Sequence, residues 1–214
     1  MGVVFDNLDV FARGMRTTAW LTLCSFALAM LIGVVVAAFR VSPIPPLRIA
    51  GAAYVETVRN TPLTVLFTLF FFGLTKVGVL FSPFVTAVIV LGGYTGAFIS
   101  ETVRSGINSV ASGQAEAARA IGLTFPQTLF IIVLPQALRT VVAPLGSLFI
   151  ALIKNSSIAL IISVPELVFR TDSLANDTAR AIPVFAGAAA AYLLMTIPSG
   201  LAWAALERRA AIKR

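Results

Sequence analysis

The sequence predicts an all-α integral membrane protein with five transmembrane helices. Of its 214 residues, 58% are hydrophobic and 12% charged, with a mean hydropathy of +0.96; charge is about half the level usual for soluble domains. Five windows, 17–39, 63–80, 83–100, 141–163 and 184–206, are mostly apolar, and each approaches the roughly 20 residues that a helix needs to cross the hydrocarbon core. Basic residues gather at the window ends, where they set orientation.

The leader MGVVFDNLDVFARGMRTTAW carries two acids and two arginines, and no small-residue cleavage pattern closes the apolar run after it. It reads as a polar approach to a first span and not as a removed signal peptide. The second window is rich in phenylalanine, and Phe67, Phe70, Phe71 and Phe72 are expected against lipid or core. The third is the weakest, being short and glycine-bearing. The fourth and fifth contain Pro144 and Pro198, which membrane helices tolerate when neighbours satisfy the freed carbonyls. The small residues of 186–191, with Gly187, permit close helix packing.

Five spans put the termini on opposite faces. One face collects Arg40, Arg48, Arg59, Arg104, Arg119, Arg139, Arg208, Arg209, Lys213 and Arg214; the other collects Arg13, Arg16, Lys76, Arg170 and Arg180. The more basic face is expected in the cytoplasm, which leaves the N-terminus outside and the C-terminus inside. Arg13 and Arg16 oppose this weakly, since Asp6 and Asp9 lie beside them. A net charge of +7 and a pI near 10.5 would suggest nucleic-acid binding on a soluble chain. Here the bases sit at span ends, so membrane orientation accounts for them and no nucleic acid is expected. There is no His, and the single Cys24 lies in an apolar run. Disulfides within the chain are thereby excluded, and a thiol or imidazole metal site nearly so.

Between the third and fourth windows lies an insert, 101–139, far longer than two adjacent helices need. Ser112 is placed to cap a short helix starting at Gly113, and Gly122 supplies a left-handed stop. Thr124 and Gln127 have capping-box spacing, with Pro126 in the first turn. Pro135 is expected to mark the boundary before the fourth span. A helix of about eight residues is marginal alone, so this one is expected to dock. Ala117, Ala118 and Ala120 give it a surface without long side chains, and Glu116 and Arg119 offer charge at the rim. A partner protein and the lipid headgroups both fit as the surface it rests on.

Glu116, Ala117, Ala118, Gly122, Ile132, Leu134 and Pro135 complete the pattern Glu-Ala-Ala, three residues, Gly, nine residues, Ile, one residue, Leu-Pro. That pattern resembles the signature of permease subunits of bacterial ATP-binding-cassette (ABC) importers. Tyr54 to Leu63, YVETVRNTPL, and Gly96 to Leu123, GAFISETVRSGINSVASGQAEAARAIGL, resemble the polar amino-acid uptake branch. The resemblance implies a type I importer permease fold, and it identifies Glu116, Ala117, Ala118, Arg119, Gly122 and Leu123 as a coupling helix seated in an ATPase subunit. It also implies a second permease subunit, as a homo- or heterodimer, two ATPase subunits, an extracellular solute-binding protein, an amino-acid substrate and a bacterial cell membrane. The chain departs from the family where Gly is common, at Asn60 and Ser105, where Pro is frequent, at Ala111, and where Asp is frequent, at Asn155. It has no GxxxxGK[ST] loop; ATP and Mg are expected in the partner ATPase, and this chain is expected to hold no cofactor and to catalyse nothing.

Lys154 lies about thirteen residues into the fourth window, roughly 20 Å along a helix, and an intramembrane ammonium points to function. It is expected either to meet a substrate carboxylate, with Asn155, Ser156 and Ser157 along the path, or to snorkel outward or pair with a carboxylate such as Glu166. The tetrapeptide ETVR occurs at Glu56 to Arg59 and at Glu101 to Arg104, where Glu and Arg three apart share a helix face and suit a gate or interface. The function expected is that of a permease for polar amino acids, glutamate or another acidic one fitting Lys154 beside Asn155. The alternatives are an ion-gradient-driven secondary transporter, which predicts related halves, and a membrane enzyme, for which no carboxylate cluster is present.

Overall fold

The computed structural model describes residues 2–210; Lys213 and Arg214, counted above for orientation, lie outside them. In chain order the elements are α1 (Gly2–Phe5), α2 (Leu8–Val41), α3 (Pro45–Arg59), α4 (Leu63–Thr68), a π turn (Leu69–Gly73), α5 (Leu74–Lys76), α6 (Pro83–Asn108) and α7 (Ser112–Ala120). There follow α8 (Phe125–Gln127), a second π turn (Thr128–Val133), α9 (Leu134–Asn155), a 3₁₀ segment (Ser156–Ile162), α10 (Leu167–Thr178) and α11 (Ala181–Ala210). Four helical stretches are long and apolar enough to span a bilayer: Leu8–Val41, Pro83–Asn108, Thr128–Ile162 and Ala181–Ala210. The pair Pro45–Arg59 and Leu63–Lys76, bent by 103°, makes up to five. The bend falls at Asn60, Thr61 and Pro62, where the proline disfavours helix at the residue before it.

The weakest window by sequence proves the best-buried span. Its glycines are the reason, because α6 lies against α2 almost backbone to backbone. A β-carbon on Gly92 would stand 2.7 Å from Leu28, one on Gly96 would stand 3.0 Å from Ile32, and one on Gly33 of α2 would stand 2.5 Å from Ile99. Each helix thus accepts the other's branched side chains into gaps left by its glycines. Around this seam Leu21, Phe67, Leu91, Leu152 and Ile162 form one buried cluster, and Ala29, Ile99, Val141 and Leu145 another. Phe67 is in the core, while Phe70 and Phe72 are exposed. The 186–191 run packs within the chain, since Gly187 lies against Phe11 and Val4.

Several local expectations are corrected. The leader is helical and continuous with the first span, α2 starting at Leu8. The second window's helix stops at Lys76, and Gly78 turns the chain at φ 82. Pro135 is no break: helix continues from Phe125 through Ile162. A proline cannot donate to the carbonyl four residues back, and the helix is widened into the π turn Thr128–Val133 directly before it. Ser112 makes no cap bond and is already helical, with Ala111 preceding it.

Candidate functional site

The first candidate region is the knob between α6 and α9. Its stop is a full Schellman motif: Leu123 N–H donates to Ala118 O at 3.1 Å and Gly122 N–H to Arg119 O at 2.9 Å, with Gly122 left-handed at φ 87. The capping box is half formed, Gln127 Oε1 accepting from Thr124 N–H at 2.9 Å. Ala118 is buried toward the following π turn. Glu116, Ala117, Arg119 and Gly122 are exposed and Leu123 half-buried, and among the described residues neither Glu116 nor Arg119 has an ion-pair partner. Ile121, 79% exposed, crowns the tip with an apolar group that sequence reasoning did not single out. The knob is therefore anchored on one side and bare on the other.

The two ETVR copies behave differently. Glu101 pairs with Arg104 on its own helix and with Arg40 at the end of α2, and Gly51 of α3 lets that helix lie on the Arg40 stem, where a β-carbon would stand 2.8 Å from Arg40 Cγ. Glu56 instead accepts from the Asn60 amide at 3.3 Å, while Arg59 lies 5.0 Å from the centre of the Phe98 ring, a cation–π arrangement. Arg40 carried only an orientation signal in the sequence, because its partner lies 61 residues away.

The four residues expected along the substrate path are not brought together. Lys154 and Ser157 line a mostly apolar groove of about 430 Å³ with Val168, Tyr192 and Thr196. Asn155 lines another, of about 200 Å³, with Tyr94, Thr95 and Phe98 of α6. Ser156 is fully buried and donates to Ile153 O at 2.7 Å. The anticipated Lys154–Glu166 pair is not formed. Glu166, fully buried, caps α10 by accepting from Val168 N–H at 2.8 Å and Phe169 N–H at 2.7 Å, and takes the Tyr192 hydroxyl at 3.2 Å.

Burial pushes the Glu166 carboxyl up from 4.5 to about 7, against the amide bonds that favour its ionised form. A carboxyl raised in the folded state holds a proton that the unfolded chain has released, so stability falls as pH rises from 4.5 to about 7. The thermal midpoint of the purified protein is expected to decline across that window, and to decline less in Glu166→Gln. Parallel curves for the two proteins would reject this.

The knob, the ionic cluster and the grooves sit on a bundle of membrane helices, and the sequence matches the family model "Binding-protein-dependent transport system inner membrane component" over residues 29–212. The chain belongs to that family. It is 37% identical over 209 residues to a probable glutamine ABC transporter permease protein, GlnM, of Bacillus subtilis, covering 98% of this chain and 97% of that one. It is 42% identical over 210 residues to the glutamate transport system permease protein GluC of Corynebacterium glutamicum, covering 92% of each. A crystal structure of an amino acid ABC transporter with histidines superposes with a TM-score of 0.92 at 30% identity, covering 96% of both chains. The MetNI methionine transporter, at 20% identity and a TM-score of 0.81 over 95% of this chain and 97% of that one, shares the fold. The permease is thus a multi-pass inner-membrane subunit of an amino-acid ABC importer.

Proposed function

We propose that the permease carries an acidic amino acid, glutamate or a close relative, received from an extracellular solute-binding protein. It works as half of a permease pair over two ATPase subunits, with its N-terminus outside and the knob in the cytosol. The observation that carries the coupling role is the Schellman-stopped α7, anchored through Ala118 and bare at Glu116, Ala117, Arg119 and Gly122. In this reading ATP binding closes the ATPase pair, draws the two knobs together and opens the path outward, and hydrolysis resets it. ATP and Mg belong to the ATPase.

The acidic preference rests on charge. Lys154 is exposed on the fourth span with no carboxylate paired to it among the described residues, and Asn155, next in the chain, brings no anion beside it. A fixed cation of this kind raises the local concentration of anions. The complex reconstituted with its ATPase and binding protein is expected to take up glutamate only with ATP. Lys154→Ala is expected to weaken apparent uptake affinity about tenfold, equivalent to one factor of ten in binding. Uptake without nucleotide would favour a secondary transporter, and unchanged affinity in the variant would remove the acidic assignment.

A further inference from the structure

One continuous exposed stripe runs down α2. Trp20, Leu23, Ala27, Leu31 and Val34 follow one another at three- and four-residue steps and are exposed, so they share a helix face. Arg16 heads the same stripe, one turn before Trp20. Its neighbour Arg13 is paired with Asp9, whereas Arg16 is exposed and has no ion-pair partner among the described residues. An arginine with a tryptophan one turn deeper and aliphatic residues beyond it marks the boundary between headgroups and hydrocarbon.

Beside this stripe α2, α9 and α11 enclose a mostly apolar crevice of about 200 Å³, lined by Ala19, Thr22 and Leu23 of α2, Phe149 of α9, and Met195 and Ser199 of α11. The Ser199 hydroxyl is satisfied, donating to Met195 O at 2.7 Å. Thr22 is 1% exposed, and its hydroxyl has no hydrogen-bond partner among the described residues. A buried hydroxyl is costly until something accepts from it, and an alkyl chain cannot. Thr22 lies six residues past Arg16, about 9 Å along the helix at 1.5 Å per residue, and its side chain leans back toward the Arg16 end. That separation is about the drop from the phosphate of a glycerophospholipid to its ester carbonyls.

We propose that the α2–α9–α11 crevice binds one anionic phospholipid, with its phosphate on Arg16, an ester carbonyl accepting from the Thr22 hydroxyl, and the start of an acyl chain between Leu23, Phe149 and Met195. The stripe below Trp20 selects lipid as the occupant, because it stays apolar and exposed down to Val34. Charge selects the headgroup. Arg16 has no carboxylate to compete with a phosphate, and a cation at the membrane surface draws anionic lipid over zwitterionic. The site also accounts for an arginine that the count of bases left on the less basic face.

Bromine on an acyl chain quenches tryptophan fluorescence on contact, so Trp20 reports the site. Brominated phosphatidylglycerol and brominated phosphatidylcholine are titrated separately onto the assembled transporter in detergent, and the quenching that disappears in Trp20→Phe is assigned to Trp20. Phosphatidylglycerol is expected to reach half-saturation at about a fivefold lower concentration, the pull of one cation on an anionic lipid. Arg16→Gln is expected to abolish that preference, and Arg13→Gln, which removes a cation already paired, to leave it. Thr22→Val keeps the side-chain shape and is expected to raise the half-saturation concentration of both lipids about fivefold, the worth of one hydrogen bond. Equal affinities for the two lipids in the unaltered protein overturn the proposal. A preference lost equally in Arg13→Gln and Arg16→Gln overturns it as well, since diffuse surface charge would then be the cause. Unchanged binding in Thr22→Val overturns the crevice as the seat of the lipid. A Trp20 quenched by neither lipid means that protein, a second permease subunit included, covers the stripe, and it too overturns the proposal.

Discussion

Gly122→Trp is expected to reduce ATP-driven uptake at least about a hundredfold, two factors of ten at about 1.4 kcal/mol each, while the permease still inserts and folds. The structure separates the two effects. Gly122 has open space around the position of a β-carbon, so a side chain can leave the backbone there without a clash at its root. The intramolecular cost is confined to placing a side chain at φ 87, about 1–2 kcal/mol. A larger loss must arise where another surface approaches the bare side of the knob. Glu116→Lys tests the same surface through charge, since Glu116 is exposed and has no ion-pair partner among the described residues. Uptake, ATP hydrolysis and co-purification of the ATPase, measured on the same preparation, separate failed assembly from failed transmission. Normal uptake by both variants would place α7 against headgroups and end its coupling assignment.

Glu101→Ala is expected to destabilise the permease by about 1–3 kcal/mol, and Glu56→Ala by much less. Removing Glu101 leaves Arg40 and Arg104, with side chains only 13% and 32% exposed, crowded together without their anion. Orphaning a fully buried charge costs about 3–5 kcal/mol, and partial hydration brings the figure down. Among the described residues Glu56 has no such dependants; its carboxylate accepts an amide of Asn60. The Arg40→Ala, Glu101→Ala double variant is expected to be less destabilised than the sum of the single ones, because no unpaired cation then remains on α2. Thermal midpoints in detergent supply the measurement, at about 2–4 °C per kcal/mol for a chain of this size. Equal losses from Glu101→Ala and Glu56→Ala would mean that the cluster does not tie α2 to α6.

The spans were legible because burial in lipid is written into composition, and Gly122 and Gln127 announced local backbone events in their own neighbourhoods. Ser82, which sequence reasoning did not single out, caps α6 by accepting from Val85 N–H at 3.3 Å. What sequence reasoning missed lies between helices. The glycines that weakened the hydropathy of 83–100 are what let α6 take the centre of the bundle. Two neighbours in the chain, Lys154 and Asn155, diverge because successive helical residues point about 100° apart, and no inspection of residues 154–157 in sequence shows which neighbouring helix each one meets. Tyr192, the lone phenolic group in an Ala- and Leu-rich span, was a visible signal of a polar partner inside the bundle; its acceptor, Glu166, required the tertiary structure.

The glycine-lined contact of α2 with α6 also limits how the subunit can move. Ile99 seated over Gly33, and Leu28 and Ile32 over Gly92 and Gly96, act as pegs in fitted notches, so axial slippage of either helix would drive branched carbons into main chain. This pair is expected to travel as one rigid girder during a transport cycle. The strain of each stroke then falls on joints without such pegs, among them the proline-weakened shaft at Pro144 and the 103° elbow between Arg59 and Leu63.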